Sequence, residues 1–286
     1  MKKRVFLYIL GGCAASLYSG ISLLITLVAT RTEFYFHKDS RVKNFKGEKV
    51  ILITRDGLRI SGILLKGNLN KCILIVHGLT AHKFDPDIFE LGKALNQKGY
   101  TVLLIDLRGH GESEGKIISG GYFERFDVIA GVEFLKNKFP GSKIIVIGIS
   151  MGGAATLLAS NEIKIDGLVL DSTFSDLENI LNKEITKMTG ISFKIFKPMS
   201  KLWAKILFKI DVKKVKPVEF LKKLSIPVCI IHSRDDQRIP VEEAKRLFEN
   251  APPGSKLIIF KNVPHAKNLT LKKEYLEEIE DYLKNI

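Results

Sequence analysis

The chain has 286 residues, 45% of them apolar, with 45 Lys and Arg against 31 Asp and Glu and a formal net charge of +14. This composition fits a globular protein with one additional hydrophobic segment, and the length admits a single large α/β domain without excluding two. A Lys-rich solvated surface accounts for the charge, and attraction to an anionic membrane surface is its functional reading. No zinc-finger spacing and no aromatic-interleaved basic motif occurs, so nucleic acid is not an expected partner.

Met1-Lys2-Lys3-Arg4 precedes an uncharged, mostly apolar stretch from Val5 to Thr30, longer than the ~20 residues a helix needs to span a bilayer. Secretory signal cores are shorter, about 7–15 residues, and end at a small-residue cleavage site. No Ala-x-Ala site precedes Arg31. The expectation is an uncleaved single-pass membrane anchor over residues 1–30. Two other fates stay open: cleavage as a signal peptide, and lipidation of Cys13 in the box Leu10-Gly11-Gly12-Cys13. The continuation of the apolar run well past Cys13 argues against the latter. The basic residues ahead of the segment favour a cytoplasmic N-terminus and an extracytoplasmic domain. Arg31, Lys38, Arg41 and Lys43 on the far flank reduce that asymmetry.

A polar, basic connector is expected over residues 31–48 and the folded domain over 49–286. Strand-like runs at 49–54, 58–65, 71–77, 101–106, 143–149, 167–171, 226–232 and 256–260 alternate with helical ones at 86–98, 122–138, 151–161, 241–250 and 271–284. That alternation predicts an α/β fold with a mostly parallel sheet of eight strands and helices on both faces. Arg55-Asp56-Gly57 is a turn signal that makes the first two strands an antiparallel hairpin. Several later strands are continuous apolar runs, as expected where both faces are buried. One stretch, 176–223, breaks the rhythm. It has no strand, carries apolar residues at helical spacing and holds the single Trp, Trp203. Placed between two core strands, it reads as a helical lid over the edge of the sheet where ligands bind.

Gly148-Ile149-Ser150-Met151-Gly152 ends an apolar strand and opens a small-residue helix. Strand, Gly, Ser, Gly and helix together mark a nucleophile elbow, G-x-S-x-G. A serine hydroxyl needs a base to take its proton and a third group to orient that base. In the α/β-hydrolases, which this elbow resembles, the acid and then the base follow the serine in the chain, and candidates for both follow here. His232-Ser233-Arg234-Asp235-Asp236-Gln237-Arg238-Ile239-Pro240 ends one strand, and Val263-Pro264-His265-Ala266 follows the next. Asp235 and Asp236 are both chemically competent acids. His265 is the expected base. His77 and His232 lie at strand ends, where local hydrogen bonding is expected, and His37, His82 and His110 sit in loops at the wrong chain position.

At these residues the chain resembles the α/β-hydrolases, over nearly everything after Lys49. Many members carry H-G-x-x-D-x-x-V-P at the acid loop. Aligning His232 and Ile239-Pro240 to it implies Asp236 as the acid, with Ser233 in place of the usual glycine. His77-Gly78-Leu79 is similar to the family's H-G-x turn. That implies the backbone N–H of Leu79 as one oxyanion donor beside the N–H of Met151, the residue after the nucleophile. Asp106-Leu107-Arg108-Gly109-His110-Gly111-Glu112-Ser113 resembles the family's D-x-R-G-x-G-x-S turn, so Asp106 and Arg108 are expected to be structural.

The resemblance extends to single-span membrane-anchored serine hydrolases, of the esterase, monoglyceride-lipase and serine-aminopeptidase branch. It implies hydrolysis of acyl esters or thioesters, or of lipid-like substrates, through an acyl-Ser150 intermediate. A peptidase or an acyltransferase would use the same triad, and a non-catalytic surface-binding protein on this fold is the reading from a different class. No cofactor or metal is expected. There is no H-E-x-x-H, no glycine-rich phosphate loop, and no ligand spacing among Cys13, Cys72 and Cys229; Cys13 lies in the expected anchor, and Cys72 and Cys229, in separate strands, are expected to be small core residues rather than a disulfide.

Overall fold

All eight expected strands pair into one sheet in the computed structural model, which describes residues 2–31, 47–267 and 273–286. Most of the expected connector, with His37, Lys38, Arg41 and Lys43, lies outside the described residues, as does the start of the last expected helix. The strands are β1 (Glu48–Ile53), β2 (Arg59–Leu65), β3 (Lys71–Val76), β4 (Thr101–Ile105), β5 (Lys143–Ile149), β6 (Gly167–Asp171), β7 (Val228–Ser233) and β8 (Lys256–Phe260). Their spatial order is β1-β2-β4-β3-β5-β6-β7-β8. β1 and β2 form the antiparallel hairpin, closed by Gly57 N–H donating to Thr54 O at 2.9 Å. β2 pairs antiparallel with β4, and every later pairing is parallel.

Side chains alternate across the sheet with period two, and each face buries its own set. From β3, Cys72, Leu74 and Val76 enter one core layer, while Ile73 and Ile75 enter the other. The first layer is covered by α3 (Glu124–Lys138), α4 (Met151–Ala159), α7 (Pro217–Leu221) and α8 (Val241–Phe248). The second is covered by α2 (Pro86–Gln97) and the C-terminal helix α9 (Glu274–Lys284). Because both faces are dry, β3 and β4 are apolar almost throughout, and each buried Ile, Leu or Val contributes roughly 1.5–3 kcal/mol relative to exposure. The chain crosses from one side of β3 to the other between β4 and β5. The C-terminal ends of β3 and β5 therefore flank the switch point at which open α/β sheets bind ligands.

Helix α1 (Lys2–Thr30) precedes the domain, and over Gly11–Thr30 it is long and apolar enough to cross a membrane. Between β6 and β7 the chain builds α5 (Leu177–Thr189), α6 (Lys197–Phe208), a 3₁₀ turn at Val212–Lys214 and then α7. Asp176 caps α5 by accepting from Glu178 N–H at 2.8 Å, and Gly190 ends it at φ 71°. These elements occupy the stretch expected to form the lid. Leu221 of α7 is fully buried in the core under the sheet.

Cys72 and Cys229 are buried in β3 and β7, and Cys13 is exposed on α1. Burial pushes both core thiols up, that of Cys229 to about 12, which withholds the reactive thiolate. Iodoacetamide should therefore modify the detergent-solubilised native chain at Cys13 alone, and at all three cysteines after denaturation. Rapid native labelling of Cys72 or Cys229, read by mass spectrometry, would contradict this burial.

Candidate active site

Ser150 stands between β5 and α4 at φ 53°, ψ −117°, a backbone conformation that costs a non-glycine residue about 1–3 kcal/mol. The elbow survives because its surroundings over-determine it. Ser150 N–H donates to Asp171 O at 2.8 Å, and Gly153 and Ala154 N–H groups return to Ser150 O. The flanking glycines have no room for a side chain. A Cβ on Gly148 would lie 2.6 Å from Gly153 Cα, and one on Gly152 would lie 2.3 Å from Val76 O.

The structure brings together all three residues singled out for catalysis. Ser150 Oγ lies 3.0 Å from His265 Nε2, and His265 Nδ1 lies 2.6 Å from Asp236 Oδ2. Asp236 has a fully buried side chain, and its Oδ1 accepts from the N–H groups of Arg238 and Ile239, both at 2.9 Å. Burial opposes ionisation of this carboxyl, but the hydrogen bond and charge of His265 and the Ile239 N–H outweigh it and hold it below its ordinary value. Asp235 points elsewhere. It is exposed, and its Oδ2 accepts from Asn262 N–H at 2.6 Å.

The loops carrying acid and base are tied by residues that sequence reasoning passed over. Ser233, where the resemblance expects glycine, donates its hydroxyl to Val263 O at 2.5 Å and accepts from Asp235 N–H. Ala266, at φ 54°, donates its N–H to Ser172 Oγ, which donates to Asp171 Oδ1. Tyr275 Oη donates to Asp171 Oδ2 at 2.8 Å. His232 bonds locally, as expected, with Nε2 2.9 Å from Ile239 O. The departure from glycine at Ser233 was the visible signal for the first of these ties.

The loop after β3 passes directly over the nucleophile. A Cβ on Gly78 would lie 2.9 Å from Ser150 Cβ, so glycine is required for the loop to reach Leu79. His77 locks this loop. Its Nε2 accepts from Leu107 N–H at 2.9 Å, which leaves the proton on Nδ1 to donate to Gly78 O at 2.7 Å. Burial, then the neighbouring His110, holds His77 well below its usual range, so it stays neutral. Met151 opens α4, where an N–H has no intrahelical acceptor. The Leu79 and Met151 side chains line the same cavity as Ser150 and His265. That cavity, about 680 Å³, is walled mostly by aliphatic side chains of the lid and of α1. Among the described residues no His, Cys, Asp and Glu cluster of metal-binding geometry occurs.

The doubly covered, mostly parallel sheet, with a strained serine at its switch point, defines an α/β-hydrolase. More particularly, the chain belongs to the Hydrolase_4 family, described as serine aminopeptidase, S33, whose model matches residues 67–221. It is similar to the uncharacterized protein YqkD of Bacillus subtilis, 29% identical over 219 residues, covering 75% of this chain and 71% of that one. It is also similar to the lysophosphatidylserine lipase ABHD12 of Xenopus tropicalis, 27% identical over 216 residues, covering 71% of this chain and 53% of that protein. The chain thus spans about half the length of this lipase relative. Among solved structures, the Pyrococcus furiosus esterase Pf2001 superposes with TM-score 0.70 at 25% identity, covering 84% of this chain and 91% of that one. These likenesses support esterase- or lipase-like hydrolysis.

Proposed function

We propose that the chain is a membrane-anchored serine hydrolase that cleaves carboxylic esters or thioesters of acyl, lipid-like substrates through an acyl-Ser150 intermediate. The observation that carries this reading is the unbroken hydrogen-bonded path from Ser150 Oγ through His265 to Asp236, opening onto an aliphatic cavity. His265 Nδ1–H donates to Asp236, which leaves Nε2 free to take the Ser150 proton as Oγ attacks the ester carbonyl. The oxyanion that forms is held by the N–H groups of Leu79 and Met151, each donor being worth about 10²–10³-fold in rate. His265 then gives the proton to the departing alkoxide or thiolate. A water molecule, deprotonated by the same nitrogen, releases the carboxylic acid and restores Ser150. No cofactor enters the scheme.

The anchor is α1, with the basic residues Lys2, Lys3 and Arg4 holding its start on the cytoplasmic side and the domain outside. The net charge of +14 favours an anionic surface. Binding of a fluorophosphonate probe tests the whole reading. The full chain in detergent should label once, and Ser150→Ala should not label. Persistent labelling of Ser150→Ala, or none of the wild type, overturns the assignment. The family description favours a second reading, peptide hydrolysis by the same triad. A panel of p-nitrophenyl esters against aminoacyl amides separates the two.

A further inference from the structure

We propose that α1 is not only an anchor but also one wall of the acyl-chain site, so that Leu24 and Val28 help set which chain lengths Ser150 can process. The inference rests on the serine-hydrolase reading and adds to it the part of the substrate that α1 contacts. Three observations carry it. First, α1 presents a polar stripe at four-residue spacing, Tyr18, Ser22, Thr26 and Thr30, which is one line along a helix face. The hydroxyls of Ser22, Thr26 and Thr30 donate to carbonyls one turn back at 2.8–2.9 Å, so none is left orphaned in an apolar setting.

Second, that stripe is keyed to the lid. Tyr18 Oη donates to Ile195 O at 2.9 Å, Thr26 Oγ1 shares its one proton between Ser22 O at 2.8 Å and Ser200 O at 3.2 Å, and Ser200 Oγ donates to Ser22 O at 3.2 Å. Trp203 Nε1 donates to Ser19 O at 3.3 Å, and Tyr18 stacks on Phe196. Just beyond, Ile118 N–H donates to Thr30 O at 3.0 Å. An all-apolar helix could turn freely about its axis against a lipid or a lid. Directional bonds over three helical turns fix both its rotation and its height.

Third, the rotation so fixed aims the neighbouring face at the chemistry. Leu24, Ile25 and Val28 line the same cavity as Ser150 and His265, together with Leu181 and Phe193 of the segment between β6 and β7. Leu24 and Val28 keep 61% and 50% of their surface uncovered by protein. Leu17, more exposed still at 66%, lies outside that lining. The acyl chain of a bound ester, its carbonyl at Ser150, therefore runs between the lid and α1. The substrate class this geometry selects is a long, single acyl chain rather than an acetyl group.

The test uses the full chain in nonionic detergent, with p-nitrophenyl esters from acetate to palmitate and the fluorophosphonate probe run in parallel. Val28→Phe fills the wall and should move the optimum to shorter chains, cutting the long-to-short ratio of kcat/KM about tenfold. Val28→Ala should move it the other way. Leu17→Phe, on the same helix face but about two turns beyond the cavity lining, should keep the wild-type profile. Opposite shifts from two substitutions at one position are not produced by a merely structural role. If Ser150 labels in every variant but all profiles coincide with wild type, this inference falls alone. If the probe labels none of them, wild type included, the serine-hydrolase reading falls and takes this inference with it.

Discussion

Ser150→Ala should lower kcat for ester hydrolysis by about 10⁶-fold, and Asp236→Asn by about 10⁴-fold. The second loss arises because the amide oxygen stays on the N–H groups of Arg238 and Ile239 and turns its NH2 toward His265 Nδ1, so the ring is left in the wrong tautomer to receive the serine proton. Asp235→Asn is the discriminating control. Its carboxylate accepts from Asn262 N–H and stands exposed, so its replacement should cost a few-fold at most. Equal losses at both positions, measured as kcat on one p-nitrophenyl ester, would overturn the choice of acid. The pH dependence has a definite sign. The Asp236 carboxyl is held below its ordinary 3.8 in the folded chain, with burial opposed by the bonds to His265. Its contribution to stability is therefore complete above the unfolded value of about 3.9. It is lost as pH falls through the lower folded one. Acid unfolding that originates here is confined below about pH 4, as thermal melts of wild type and Asp236→Asn across pH 2–7 would show.

The three residues of the proposed triad were legible as candidates because they sit at element ends, where local pattern and chemistry coincide. A buried strand, two glycines and a following helix mark Ser150. Strand ends mark the loops of Asp236 and His265. What the alternation of apolar runs could not reveal is contact between distant segments. The anchor segment read as a uniform apolar run, although Tyr18, Ser22, Thr26 and Thr30 were spaced to form one face. Their meaning depends on the lid some 175 residues later, which no local period encodes. The role of the last helix of that stretch was hidden for a related reason. The helical spacing over 212–221 is the same whether the helix covers a cavity or, as in α7, buries Leu221 in the core. The Ser233 tie likewise needed the second loop in place before its hydroxyl had anything to hold.

Lys83→Met should destabilise the domain by about 3–5 kcal/mol, because it removes one partner from a buried ion pair. Lys83 is almost wholly enclosed, and its Nζ lies 2.5 Å from Asp106 Oδ2, 2.8 Å from Glu112 Oε2 and 3.0 Å from Ser61 Oγ. Asp106, equally enclosed, also accepts from the N–H groups of Lys83 at 2.7 Å and Glu112 at 2.8 Å. One carboxylate thus fastens the loop after β3, which carries Leu79, to the turn after β4. A lysine in a loop ordinarily reads as solvated, so its partner is invisible until β3 and β4 are paired. Without the ammonium, Asp106 would face the protein interior with only backbone donors. At roughly 2–4 °C per kcal/mol for a domain of this size, the melting temperature should fall about 6–20 °C. Lys83→Met combined with Asp106→Asn should recover part of that loss. The amide oxygen still accepts a backbone N–H, and no charge is left buried. The double variant melting lower than Lys83→Met alone would contradict the argument, as would a single-variant shift under 2 °C. Because this bond holds the loop bearing the Leu79 N–H, the folded fraction of Lys83→Met should also lose kcat with little change in KM, the signature of a donor that acts on the oxyanion rather than on bound substrate.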